Sequence, residues 1–181
     1  MAAAMKTEAR FRPTVSVCIP VYNAEETIAA ALESVWKQTF EDLEVVVSDD
    51  CSTDSTPAIL AAESDRRLRV LRNARNLSAP GNGNRALGHA RGRLIKFLDA
   101  DDVLFPDCIA RMVELAETQP DVGMVFSRRS LRLDDPENEE SRAWSERYGD
   151  VSAQFGELAP LNSGPALFAR WEAIGRSGSS G

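Results

Sequence analysis

Apolar and polar positions along this chain follow two alternating rhythms. Val15-Ser16-Val17-Cys18-Ile19 alternates in part and is β-branched, which predicts a first strand over residues 15–19. Pro20-Val21-Tyr22-Asn23 breaks it. Asn23, with Glu26 three positions on, has the form of a capping box. In the following helix Ile28, Leu32, Val35 and Trp36 share one face. Residues 43–48 form a nearly continuous apolar run, as in a strand buried on both faces. A second helix opens at Pro57, with Ile59 and Leu60 as its apolar contacts. Residues 68–71 read as a short strand, residues 73–84 as a loop rich in Asn and Gly, and the residues around 86–90 as a helix. Residues 94–98 are a further strand. Pro106 opens a helix with Ile109, Met112, Val113 and Ala116 on one face, and residues 123–126 read as a fifth strand.

Strand and helix thus alternate four times. The fold class this predicts is α/β, a mostly parallel, doubly wound sheet with helices on both faces. The folded domain is expected over residues 14–175, after a loose leader over residues 1–13. Residues 134–146 are strongly charged and expected to be a solvated loop or surface helix carrying Trp144, with Tyr148 just beyond. Residues 161–169 could add a strand and residues 171–174 could start a helix. Residues 176–181 read as a flexible linker or expression scar.

Composition narrows the function classes. Among 181 residues there are 28 acids and 21 bases, a net charge of −7, so no basic nucleic-acid face is expected. The same acidity argues against binding a bare polyanion without a metal. Cys18, Cys51 and Cys108 include no close pair, which speaks against a disulfide framework or structural zinc and for a reduced, cytoplasmic setting. His89, the only histidine, falls in a helical stretch and is expected at the surface, so Ser-His and Cys-His catalysis rank low. No apolar run is long enough to span a bilayer.

The chemistry concentrates where strands end. Ile95-Lys96-Phe97-Leu98 runs into Asp99-Ala100-Asp101-Asp102, three carboxylates within four residues. Two carboxylates about 5 Å apart repel by roughly 3 kcal/mol at an effective dielectric near 20. A hard divalent cation removes that repulsion, taking one or two Asp oxygens and filling its remaining positions from water and phosphate. Residues 43–48 likewise run into Asp49-Asp50. Strands of a parallel sheet exit at one edge, where ligands bind. Tyr22-Asn23, Asp49-Asp50 and Asp99 with Asp101 are therefore expected to converge on a metal-dependent site for a phosphorylated ligand. No glycine occurs in residues 20–25, which discounts a dinucleotide fingerprint, and the P-loop pattern is absent. Phosphoacceptor receivers carry their paired acids after strand one, whereas here they follow strands two and four.

Taken together, Val15-Ser16-Val17-Cys18-Ile19-Pro20-Val21-Tyr22-Asn23, Val47-Ser48-Asp49-Asp50-Cys51-Ser52-Thr53-Asp54 and Phe97-Leu98-Asp99-Ala100-Asp101-Asp102 resemble the N-terminal, donor-binding part of a family 2 glycosyltransferase with the GT-A fold. The resemblance implies an inverting transferase that uses a nucleotide-diphosphate sugar, UDP-sugars favoured, with Mn2+ or Mg2+. It places the nucleoside on Pro20, Tyr22 and Asn23, the base on Asp49, and a loop-orienting role on Asp50. It makes Asn76 a nucleotide contact, and Asn84 either a ligand residue or a helix cap. Asp99 becomes the ribose or metal-shell acid and Asp101 the direct metal ligand. Such transferases often work at a membrane on lipid-linked or polymer acceptors, which allows peripheral association with its inner face.

Three departures from the family pattern stand out. Cys51 replaces the usual Gly after Asp49-Asp50, Gly83 replaces the basic residue before Asn84, and the acceptor-activating acid lies in a later segment than residues 167–175. No residue here, Asp150 and Glu172 included, is assigned as that base. A non-catalytic nucleotide-binding or interaction module with the same fold is the alternative. A nucleotidyltransferase ranks below both, since no Gly-rich loop follows strand one.

Overall fold

The computed structural model describes residues 12–119, 121–127, 138–139 and 142–143. Its elements all lie in the first of two compact units, Met1–Val125. They run β1 (Val15–Val21), α1 (Ile28–Trp36), β2 (Leu43–Asp49), α2 (Thr56–Ala62), β3 (Leu68–Arg72), α3 (Ser78–His89), β4 (Leu94–Phe97) and α4 (Cys108–Thr118). The four strands form one sheet in the order β3-β2-β1-β4, every pair parallel.

β1 and β2 are paired over seven positions and covered on both faces. Their odd-numbered side chains, from Val15 to Val21 and from Leu43 to Val47, join one core with Ile28, Leu32 and Val35 of α1, Leu60 of α2 and Ile109 of α4. On the other face Cys18 and Val46 pack with Ala86 of α3. This is the period-2 alternation of a strand read from both sides. The predicted doubly wound sheet is present, with the predicted apolar faces of α1 and α4. Trp36, expected in the core, is partly buried beside it, with the Arg67 guanidinium 5.0 Å from its ring centre.

Several expected boundaries shift, each for a physical reason. Pro20 does not break β1. The β4 ladder ends at the Cys18–Phe97 pair, with one further bond from Leu98 N–H to the Cys18 carbonyl, so the missing Pro20 N–H falls beyond the last rung on that side. Asn23 does not cap α1, whose N-cap is Thr27, because its side chain is engaged by the loop after β2. α4 starts at Cys108 with Asp107 as its N-cap, rather than at Pro106. Residues 123–126 form no strand: they pair with no described strand, and Met124 and Phe126 are exposed. The expected strand at 161–169, helix at 171–174 and tail at 176–181 lie outside the described residues, as do most of 134–146, with Trp144, and Tyr148.

The largest departure is the Asn- and Gly-rich stretch, which is helical from Ser78. Gly81, Gly83 and Gly88 cost this helix about 1 kcal/mol each relative to Ala. Pro80 sits in the first turn, where its missing N–H is not needed. Tertiary bonds offset the poor propensity. The Asn82 amide donates to the carbonyls of Val21 (3.2 Å) and Ser48 (2.9 Å) and accepts from Asn73 (3.1 Å), at about 1 kcal/mol per bond.

Gly92, between α3 and β4, is set by close approach. A Cβ there would lie 2.5 Å from the Ser16 nitrogen and 2.7 Å from the Val15 carbonyl carbon. Both the Arg91 and Gly92 N–H groups donate to the Ser16 hydroxyl. Gly92→Ala is expected to lower unfolding stability by about 1–3 kcal/mol through overpacking. Gly88→Ala, which meets nothing within 4 Å, is expected to raise it by up to about 1 kcal/mol. Urea unfolding midpoints of the two variants check the contrast.

Candidate functional site

Parallel register brings the carboxyl ends of all four strands to one edge. Val21, Asp49 and Arg72 stand at one level across β1, β2 and β3. The loops after β1 and β2 are stitched together above them. Asn23 N–H donates to the Ser52 hydroxyl (2.9 Å), and Asn23 Oδ1 accepts from Thr53 N–H (2.9 Å). Ala24 N–H donates to the buried Thr56 hydroxyl (2.8 Å), and Glu25 accepts from Ser55 N–H (2.8 Å). Asn23 has φ 49°, a region Asn tolerates better than most residues. Tyr22 projects beside this seam, more than half exposed.

The adjacent acids Asp49 and Asp50 are both buried and engage different partners. Asp49 Oδ1 accepts from Ser52 N–H at 3.0 Å. Its Oδ2 has no hydrogen bond among the described residues and lies 3.6 Å from Arg72 Nε. Asp49, Arg72, Val70 and Pro57, Leu60 and Ala61 of α2 line a recess of about 180 Å3. Asp50 turns to the α3 side. Its Oδ1 accepts from Asn73 Nδ2 (2.7 Å) and from Leu77 N–H (2.8 Å), and its own N–H donates to the Val21 carbonyl (2.8 Å). Asn76 joins the same loop, its Oδ1 accepting from Ser78 N–H and its Nδ2 donating to the Asp50 carbonyl at 3.4 Å. Asn84 is exposed inside α3 and caps no helix.

Arg72, Asn73 and Asn82 are additions that the sequence reading missed. The available signal for Arg72 was a basic residue ending β3, the strand beside the one that ends in Asp49. Asn82 gave no signal, because its bonds exist only once β1, β2 and α3 meet.

Asp99 and Asp101 follow β4 and are both exposed. Asp102 N–H closes the turn onto the Asp99 carbonyl at 3.1 Å. Among the described residues neither the Asp99 nor the Asp101 side chain hydrogen-bonds to Asp49 or Asp50, and no three His, Cys, Asp or Glu side chains form a cage for a cation. An open pair of hard carboxylate oxygens suits Mn2+ or Mg2+ shared with waters and phosphate, and does not suit a cation held by protein alone.

The Glycosyl transferase family 2 model matches residues 16–170. The chain belongs to that family. The Mycobacterium tuberculosis protein MT1568 is 39% identical over 156 residues, which are 86% of this chain and 47% of that protein. The Escherichia coli UDP-Glc:alpha-D-GlcNAc-diphosphoundecaprenol beta-1,3-glucosyltransferase WfgD is 46% identical over 49% of this chain and 35% of its own length. This chain thus spans less than half the length of either relative. Among solved structures, S. aureus TarS 1-349 superposes with a TM-score of 0.66 at 27% identity, over 83% of this chain and 42% of that one. Its complex with UDP gives 0.57 at 31% identity over 65% and 38%. The mannosyltransferase PcManGT from Pyrobaculum calidifontis, in complex with GDP-Man and Mn2+, gives 0.53 at 33% identity over 57% and 32%. These neighbours are GT-A glycosyltransferases, and this chain has their α/β fold.

Within the family pattern, Cys51 is the departure with a visible structural cost. Its φ is 68°, the left-handed region where a Cβ costs about 1–2 kcal/mol. Glycine loses part of that gain through its freer unfolded chain. Cys51→Gly is expected to raise unfolding stability by about 1 kcal/mol, or roughly 2–4 °C in Tm. Cys51→Ala, which keeps the Cβ, is expected to give no such rise. Differential scanning calorimetry of the pair checks it.

Proposed function

We propose that this chain is the donor-binding part of a metal-dependent, inverting glycosyltransferase. Its donor is a nucleotide-diphosphate sugar, UDP-sugars favoured, and its acceptor a lipid-linked or polymer saccharide met at a membrane surface. One observation carries the reading: the buried Asp49 carboxylate, one oxygen without a hydrogen bond, sits beside Arg72 in the recess at the shared strand edge. That recess offers a nucleobase an acceptor, a cation and apolar walls. Similar solved structures in complex with UDP, with UDP-GlcNAc, and with GDP-Man and Mn2+ support this donor class. Relatives named as glucosyltransferases on diphosphoundecaprenol-linked sugars support the acceptor class. No helix among the described residues is long and apolar enough to cross a membrane, so contact with such an acceptor is proposed as peripheral.

In this reading Asp49 and Arg72 orient the base. Pro20, Tyr22 and Asn23 flank the nucleoside from β1, with Asn84 as a further contact. Asp50 and Asn76 hold the loop that closes over it. Asp101, with Asp99 beside it, would hold Mn2+ or Mg2+, which supplies positive charge where the diphosphate leaves. An inverting transfer also needs a base to take the proton of the attacking acceptor hydroxyl. No residue of this chain is assigned that step. The residues proposed here bind, orient and aid departure of the nucleotide.

Titration calorimetry with UDP and GDP, with and without Mn2+, tests the proposal. UDP is expected to bind, and to bind more tightly with Mn2+. Loss of one charge-assisted contact corresponds to about 10–100-fold in affinity. Asp49→Asn is expected to weaken UDP by that factor with or without metal, and Asp101→Ala only in its presence. Equal binding by wild type and Asp101→Ala overturns the metal role. Failure of both nucleotides to bind overturns the donor-binding reading.

A further inference from the structure

The turn that carries Asp99 and Asp101 is held from two directions. On the β4 side, Leu98 N–H donates to the Cys18 carbonyl at 3.1 Å. On the far side the chain is caught by the end of α1, a helix with no place in the donor site. Ser34 Oγ accepts from Leu104 N–H (3.1 Å) while donating to the Ala31 carbonyl (2.7 Å). Gln38, only 6% exposed, donates from Nε2 to the carbonyls of Phe105 (2.8 Å) and Ser34 (3.0 Å). Its Oε1 accepts from Ile109 N–H at 3.0 Å. Thr39 N–H adds a bond to the Pro106 carbonyl at 2.9 Å.

Gln38 therefore uses both amide hydrogens and its carbonyl oxygen. A buried amide so fully engaged fixes whatever it touches, because each bond lost leaves a buried group unsatisfied. What it touches is the backbone just beyond the acidic turn. Val103 and Phe105 in that segment point to solvent, leaving Leu104 and Ile109 as its apolar anchors. Residues 99–103 thus form a short span between one anchor on β1 and one on α1, with Ala100 packed against the core between them. The Asp99 and Asp101 carboxylates on that span are exposed to solvent.

We propose that Gln38, with Ser34, is a positioning residue for the metal-holding turn. It sets where Asp101 stands by fixing the chain that leaves the turn. The proposal rests on the metal role given to Asp99 and Asp101 above. It adds a dependence of cation affinity on a side chain of α1's end that touches neither metal nor nucleotide.

The test is Gln38→Met, which keeps an unbranched side chain and removes the three amide bonds, with Ser34→Ala as a second variant should the first fail to fold. Mn2+ affinity is measured by calorimetry at saturating UDP, UDP affinity is measured without metal, and Tm is recorded. Removing an outer partner of a metal site typically weakens the metal about 10–100-fold. Mn2+ affinity is expected to fall at least tenfold, with metal-free UDP affinity unchanged, since Asp49 and Arg72 sit on β2 and β3. Gly92→Ala serves as the destabilised control and is expected to lose Tm while keeping Mn2+ affinity. Unchanged Mn2+ affinity in Gln38→Met and Ser34→Ala overturns the proposal, as does an equal loss in Gly92→Ala. A wild-type chain whose UDP binding ignores Mn2+ overturns the metal reading and this proposal with it. A metal-dependent wild type with an unaltered Gln38→Met overturns the proposal alone.

Discussion

β1 is hydrogen-bonded on both sides and buried on both faces, and the site follows from that constraint. A strand so enclosed cannot slip by one residue without turning its whole odd-numbered core set into the α3 face. Its register with β2 and β4 is therefore fixed, and with it the level at which each strand ends. Val21, Asp49 and Arg72 stand side by side because the strands beneath them cannot move. The same enclosure buries backbone carbonyls at the strand ends, and each needs a donor. Asn82 supplies two of those donors from α3, to Val21 and Ser48. Asp50 N–H supplies the other bond to Val21.

The acids of the site divide into two physical kinds. Asp49 and Asp50 are desolvated and held by N–H donors, so their position is settled before any ligand arrives. Burial of a carboxylate is tolerated only when hydrogen bonds or a cation replace water. Asp50 has two donors, while Asp49 has one donor and Arg72 at 3.6 Å. Asp99 and Asp101 remain exposed to water. A fixed end and a hydrated end match the proposed ligand, whose nucleobase is flat and neutral and whose diphosphate is charged.

The opposite edge of the sheet shows acids used for structure alone. Glu44 is buried at the start of β2, where its Oε1 accepts from the Ser16 hydroxyl (2.8 Å) and from Arg91 N–H (2.7 Å). Arg69 lies 3.4 Å from its Oε2. Burial, with the Glu44 charge adding to it, pushes the nearby Cys18 thiol up to about 11, so that side chain packs as a neutral group. The contrast between the two edges lies in accessibility. Glu44 is buried among Ser16, Arg69 and Arg91, whereas Asp49 borders a recess.

Much of the fold was legible in the residues alone. Period-2 and period-3.6 patterns identify β1, β2, α1 and α4, which bury apolar side chains at their own spacing, while Pro57 marks α2 and short apolar runs mark β3 and β4, where Val70, Ile95 and Phe97 are exposed. Parallel winding then puts Asp49, Asp50 and the acids after β4 at one edge. α3 was only half legible, since Gly81, Gly83 and Pro80 argue locally for a loop and only the long-range bonds of Asn82 favour a helix. The positions of Asp49, Asp50, Asp99 and Asp101 at strand exits could be read from sequence. Their burial and partners could not, because adjacent residues on an extended chain face opposite ways and the partners lie on other elements. Tertiary structure alone set Arg72 against Asp49, Asn82 against the Val21 and Ser48 carbonyls, and Gln38 against the backbone beyond Asp101. Local pattern reports which side chains avoid water; which polar groups meet depends on register and packing between segments distant along the chain.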